Sequence, residues 1–255
     1  MNLLHSEWQR IWGRRKTKVS LTLFFVLILF EGWFLLKVGG TSFYHPDAAV
    51  SLNSLNAAPF FLRELALYLN LIFIPMLVVD SVNGEYTSGA MRLILIRPID
   101  KWKWVFAKWS VHAILLATLT SLMMSAGIIY GHLFMPKVEM TSFYQTPLLN
   151  PLESYIYIAK FYSIAFLTFL TVLSLSTFIS TLMPNPILAY TGIIATYIFG
   201  LYAFDRMIIV LSTSDTIFNE ISNSSIPSLL FFTGGCVILS FAFSLFIWNR
   251  RSNTI

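Results

Sequence analysis

Charge is scarce in this chain: Asp, Glu, Lys and Arg make up 11 % of its 255 residues, while 56 % are hydrophobic and the mean hydropathy is +0.72. A soluble domain of that length cannot hide so much apolar surface, so the composition excludes one and indicates a membrane protein. Cysteine is nearly absent. Cys236 is the only one, so no disulfide can form within one chain, no thiolate metal cluster is available, and a structural thiol is the simple reading. Histidine is almost as rare. Of His5, His45, His112 and His132, the last two stand about 30 Å apart by helical rise and cannot share a site within one chain. The chain also lacks an H-E-x-x-H pair and a G-x-x-x-x-G-K-[ST] phosphate loop. Intramembrane metal or serine catalysis is therefore disfavoured, no metal site is expected, and the chain has no ATPase loop of its own. There is no internal repeat and no low-complexity tract.

What is present is a series of apolar runs. An α-helix needs about 20 residues to cross the hydrocarbon, and six runs qualify, at about 19–38, 59–79, 104–133, 155–183, 186–204 and 227–248. Helices are the expected spanning form, because hydrocarbon offers backbone groups no partner and the alternating strands of a barrel are missing. The expected fold is an all-α polytopic membrane protein forming a single transmembrane domain over residues 1–255. The first run is too long for a signal peptide, carries Glu31 and has no clear cleavage signal.

Six spans return the C-terminus to the side of the N-terminus. That side holds Arg10, Arg14, Arg15, Lys16, Lys18, Arg92, Arg97, Lys101, Lys103, Lys108, Arg250 and Arg251, which is 12 of the 17 basic residues. The positive-inside rule makes it cytoplasmic, so the net charge of +5 reports orientation rather than nucleic-acid binding. The expected location is the plasma membrane of a bacterial cell, multi-pass, with both termini inside. Residues 1–18 read as an amphipathic helix on the inner membrane surface, with Leu4, Trp8, Ile11, Trp12 and Arg15 on one side and Trp8, Trp12, Arg14 and Arg15 as interface anchors. The outer loops are 41–56, 135–153 and 205–226, the last with an apolar patch at 207–211 that could dip into the bilayer.

Ionisable groups inside a membrane are functional candidates by default. Glu31 in the first span and Asn70, deep in the second, are the candidate pathway residues. Arg63, Glu64 and Lys160 lie close enough to the outer surface to snorkel. Thirteen Leu, Ile, Val and Phe residues between Val19 and Leu36 outweigh one acid in insertion energy, so Glu31 can be carried without a role. A secondary carrier or channel not driven by ATP is the alternative reading, although the spans lack the acidic rows and broken helix pairs that ion coupling uses.

The stretch 83–108, NGEYTSGAMRLILIRPIDKWKWVFAK, is too patterned for a plain loop. Pro98 stops any helix begun near Tyr86 or Thr87, which leaves room for a short cytoplasmic helix of about ten residues. On that helix Glu85, Gly89, Arg92 and Ile96 fall on one stripe, able to meet a protein below, while its apolar side rests on the membrane. Trp102 and Trp104, with Lys101 and Lys103, would anchor the third span at the interface, and Lys108 would snorkel to lipid phosphates.

Glu85, Gly89, Leu93, Pro98, Ile99 and Lys101, followed by AKW, resemble the first cytoplasmic loop of the type-2 exporter family of ABC transporter permeases. The likeness extends to the N-terminal helix LLHSEWQRIWGRRKT, the six spans, and an outer segment before the last span, which in that family is often re-entrant. The resemblance implies that the chain is the permease subunit of an ATP-driven exporter and not itself an enzyme. It would pair with a second permease, identical or related, and with two separate cytosolic ATP-binding subunits that carry ATP and Mg. Short coupling helices dock on those subunits, which implies docking through Glu85, Thr87, Ser88, Gly89, Met91 and Arg92. Closure of the ATPase pair would push the 87–97 helix and the N-terminal helix, and change the packing of the first, second and fifth spans. The cargo is open: 23 Phe, 7 Trp and 11 Tyr would suit an apolar or amphiphilic one, but the same residues pack helices.

Overall fold

A computed structural model describes residues 3–38, 50–87, 89 and 100–251. Among these residues there is no β-strand, and six helices are long and apolar enough to cross a membrane. After a short helix α1 (Leu3–Gly13), the first span is α2 (Arg15–Val38). The second is a rod of changing pitch: a 3-10 turn (Ala58–Phe61), α3 (Leu62–Tyr68), a π-helical turn (Leu69–Phe73) and α4 (Ile74–Thr87). The third, fourth and fifth are α5 (Lys101–Phe134), α6 (Pro151–Leu182) and α7 (Pro186–Ala203). A 3-10 segment (Asp205–Val210) and α8 (Thr213–Ser222) lead to the last span, α9 (Ile226–Arg251). The spans match the apolar runs of the sequence, with α6 beginning earlier and the second span running on to Glu85.

Local chemistry fixes several ends. Asn150 caps α6 in a capping box, its backbone N–H donating to Glu153 Oε2 at 2.9 Å, and Pro151 follows at the first helical position. Asn185 Oδ1 accepts from Leu188 N at 2.9 Å and starts α7 with Pro186 in the same way.

The second and fourth spans form the middle of the bundle and are buried along most of their length, whereas α7 and α9 are largely exposed. α4 lies against α6 and α7, α9 runs along α6, and α1 crosses α5. One apolar core extends from Phe24 on α2 through Phe73, Ile74, Phe161 and Phe169 to Leu229 on α9. α5 comes so near the start of the second span that two glycines are required. A Cβ on Gly127 would fall 2.7 Å from Ala58 Cα, and one on Gly131 would fall 2.8 Å from the Ser54 carbonyl oxygen. This is the close backbone approach that small residues four apart permit between membrane helices.

Three connecting segments assemble at one end. Thr141 and Leu149 exchange both backbone hydrogen bonds, Asn53 Nδ2 donates to Thr141 Oγ1 at 2.7 Å, Ser54 N donates to Pro136 O, and Ser222 Oγ donates to Tyr144 O. At the opposite end, Trp248 near the close of α9 stacks on Trp104 near the start of α5 with ring centroids 4.8 Å apart, and Leu3 packs beside them. The first and last helices thus meet at the same end of the bundle.

Candidate functional site

The first lone charge to account for is Glu7, the single acid among five basic residues in positions 1–18. On α1 it faces inward with Ile11, and both are buried, while Leu4 and Trp12 face outward and Trp8 is half-buried. Glu7 Oε2 lies 2.8 Å from Lys108 Nζ, and Glu7 Oε1 lies 3.0 Å from Arg10. Lys108 was expected to snorkel to lipid. It does not. It is 3 % exposed, and its ammonium donates equally to Glu85 Oε1, also at 2.8 Å. The physical reason is geometric: Lys108 faces into the bundle, two carboxylates from other helices reach it there, and the Trp104 ring sits 4.4 Å below its charge. Arg14 adds a further 2.8 Å contact to Glu85 Oε1, and Arg10 approaches Glu85 Oε2 at 3.6 Å. Alongside, Lys16 of α2 pairs with Asp80 of α4 at 2.8 Å.

Glu85 near the end of α4 and Lys108 two turns into α5 lie on the two stems of the segment between them, so this ionic node ties the stems together and fastens α1 to them. Such a pair contributes little net stability compared with a well-packed apolar replacement, because burying the ions is itself costly. Its value lies in specificity: with one partner removed, a buried charge is left uncompensated, so the three elements are held to one mutual arrangement.

The other sequence candidates fall as follows. Glu85 belongs to the end of α4 and points into the node. Gly89 follows with φ +74°, the left-handed conformation that ends a helix. The stripe that placed Glu85 and Gly89 on one short helix is therefore broken, and the two residues do not share a face. Thr87 is exposed and its hydroxyl donates to Asn83 O. Ser88, Met91 and Arg92, with most of the expected 87–97 helix, lie outside the described residues. Trp104 was expected at the lipid interface. It is 4 % exposed and packs within the chain because Trp248 covers it. Trp12 and Trp102 remain exposed, as does Arg15, whereas Arg14 is turned to Glu85.

Glu31 is buried, and the charged groups facing it are Arg63 and Glu64, themselves 3.7 Å apart. Asn70 sits in the π-helical turn and is fully buried. Its Nδ2 donates to Val210 O at 2.8 Å and to Thr213 Oγ1 at 3.0 Å, while the neighbouring Leu71 carbonyl accepts from Tyr190 of α7 at 2.8 Å. An inserted residue in a helix frees backbone groups in this manner. Asn70 lies 12 residues beyond Ala58, about 18 Å along the rod, so residues 205–222 turn back into the bundle to that depth. Met207, Ile209, Val210, Ile217 and Phe218 are buried there, and Arg206 braces the two limbs by pairing with Glu220 and donating to Ser228. Asn70→Leu removes both bonds and orphans the Val210 carbonyl, at about 1–3 kcal/mol. Amide hydrogen exchange over 205–222 is expected to rise about tenfold or more while exchange in α6 stays unchanged. Equal exchange in the two regions would mean that Asn70 does not hold this segment.

Sequence reasoning missed Glu7 and the inward turn of Lys108. The available signals were one acid in a basic helix and a lysine inside an apolar run.

A family model described as "Protein of unknown function (DUF2705)" matches residues 23–252. No curated protein matches the chain.

Proposed function

For this chain, which belongs to the family of proteins of unknown function DUF2705, we propose the role of a permease subunit in an ATP-driven exporter. It would be powered by two separate cytosolic ATP-binding subunits and paired with a second permease. The observation that carries the reading is the clamp between Glu85 and Lys108 at 2.8 Å, with Glu7 of α1 on the same ammonium at 2.8 Å. Any push on the segment between α4 and α5 reaches both of its stems and α1 together, as a lever that couples a partner to the spans must do. Two further observations agree: the resemblance of that segment to a coupling loop, and the basic residues gathered at the same end.

In this reading the node end faces the cytosol, α1 lies along the inner membrane surface with Trp12 toward lipid, and the plasma membrane holds six spans. Docking falls to Thr87, Ser88, Gly89, Met91 and Arg92. Glu85 contributes by holding the stem. The chain would bind no nucleotide itself, and ATP and Mg would sit on the partner. Glu31 and Asn70 remain the polar groups nearest a candidate pathway, and the cargo stays unassigned.

Affinity purification of the full chain from its native membranes in mild detergent tests this. A stoichiometric nucleotide-binding protein of separate sequence is expected, with ATPase activity in the complex. If no such partner is found, and transport by the purified chain alone follows a proton gradient and is abolished by Glu31→Gln, the carrier reading replaces it.

A further inference from the structure

Away from the node, α5 and α6 part to leave an open groove of about 240 Å³. Small residues one helical turn apart on each wall hollow it out: Ala117 and Ser121 on α5, Ala159 and Ser163 on α6. Three of its four hydroxyls are committed to backbone carbonyls. Thr120 Oγ1 donates to Leu116 O at 2.8 Å, Ser163 Oγ to Ala159 O at 2.7 Å, and Tyr162 OH to Ala58 O at 2.8 Å. With those donors bonded to backbone carbonyls and Ser121 Oγ the remaining hydroxyl, the walls present mostly hydrocarbon. The groove runs along two spans and is open to their surroundings, so in a bilayer it faces acyl chains.

A charge stands beside its α6 wall. Lys160 is exposed, adjoins Ala159, and precedes Ser163 by less than one turn. No carboxylate pairs with it among the described residues. It lies nine residues into α6, about 14 Å from the helix start, and its side chain leans toward that start because helical Cα–Cβ bonds tilt toward the N-terminus. Its Cα lies one residue deeper than Ala159, but the side chain reaches back past Ala159 toward the helix start, and Tyr162, Ser163 and Phe166 of the α6 wall lie deeper. From the helix start inward, the order is therefore cation first and apolar groove second. That is the order of a phospholipid's headgroup and chain. A lysine within a span is costly unless an anion or water meets it.

We infer that the groove between α5 and α6 holds one acyl chain of an anionic phospholipid whose phosphate pairs with Lys160. The inference goes beyond the permease reading and stands without it, since it requires only that α5 and α6 lie in a bilayer.

Native mass spectrometry of the detergent-purified full chain, titrated with phosphatidylglycerol and with phosphatidylcholine of the same chain length, tests it. Phosphatidylglycerol is expected to be retained over phosphatidylcholine by about fivefold. Lys160→Gln is expected to bring the two to equality. Ser163→Leu is expected to weaken retention of both by filling the groove, and unchanged circular dichroism and melting temperature would show that each variant folds. Equal retention of the two lipids by the unmodified chain, or no effect of Lys160→Gln, would mean that Lys160 only reaches to water and would overturn the site. No effect of Ser163→Leu would place the chain elsewhere and overturn it as well.

Discussion

Lys108→Met is expected to lower the melting temperature of the purified protein by roughly 10 °C and, under the proposed permease role, to cut partner-driven transport about tenfold or more. Removing the ammonium leaves Glu7 and Glu85 facing one another with the charge between them gone. Arg10 and Arg14 are more exposed and compensate each carboxylate only partly. Breaking one partner out of a buried ion set costs about 3–5 kcal/mol, most of it the penalty of the orphaned charge. A second variant separates that penalty from lost packing. Glu7→Gln added to Lys108→Met removes one orphan, so the double variant should be more stable than Lys108→Met alone, a non-additivity that neighbours in one network show. Transport should stay low in the double variant, because α1 is no longer tied to α5. If stability and transport recover together, the node is only a stabilising feature. If the two losses simply add, Glu7 and Lys108 are not coupled.

The second large effect is steric. Gly127→Val is expected to reduce the yield of folded protein severely or to lower its melting temperature by at least about 10 °C, read by fluorescence-detected size exclusion and thermal unfolding. The new Cβ alone would fall 2.7 Å from Ala58 Cα and 3.1 Å from its carbonyl oxygen. These are backbone atoms of a 3-10 turn whose Ala58, Pro59, Phe60 and Phe61 are all buried, so no rotamer change relieves the overlap and α5 must move away. Gly131→Val should act similarly through the Ser54 carbonyl. Gly234→Ala and Gly235→Ala in α9 are the controls. A Cβ there meets nothing within 4 Å, and replacing a helical glycine by alanine should be neutral or slightly stabilising in this chain. A Gly127 variant as stable as these controls would contradict the packing described between α5 and the start of the second span.

Much of the architecture was readable because a membrane simplifies the reading. Length and hydropathy alone locate α2, α5, α7 and α9 and most of α6, whose start at Pro151, four residues before the expected run, is set by the Asn150 cap. The ionic node was not readable in the same way. Glu7, Glu85 and Lys108 are far apart in the chain, and a periodicity argument sees each only on its own helix. Lys108 looked like a residue reaching to the surface because a lysine near a span end usually is one, and only the arrival of two carboxylates from α1 and α4 makes burial tolerable. Trp104 was misplaced for a related reason: tryptophans near span ends favour the interface, but its partner Trp248 comes from the other end of the chain. In the residues themselves the return of 205–222 showed only as an apolar patch at 207–211, with the family resemblance as a second pointer, since what holds it, the Asn70 amide, lies in a different span. Gly127 and Gly131 are visible as a small-residue pair, yet nothing in α5 says that the start of the second span is what approaches them.

The most direct test of the central claim is site-specific cross-linking from a cysteine introduced at Arg92 in a Cys236→Ser background, in intact cells and in isolated native membranes. The account predicts no labelling by an impermeant thiol reagent from outside. It also predicts a cross-link to a nucleotide-binding protein of separate sequence, with a yield that changes when ATP is added. Labelling from outside the cell, or a residue 92 that forms no cross-link to such a protein in membranes where the chain still transports, would contradict it.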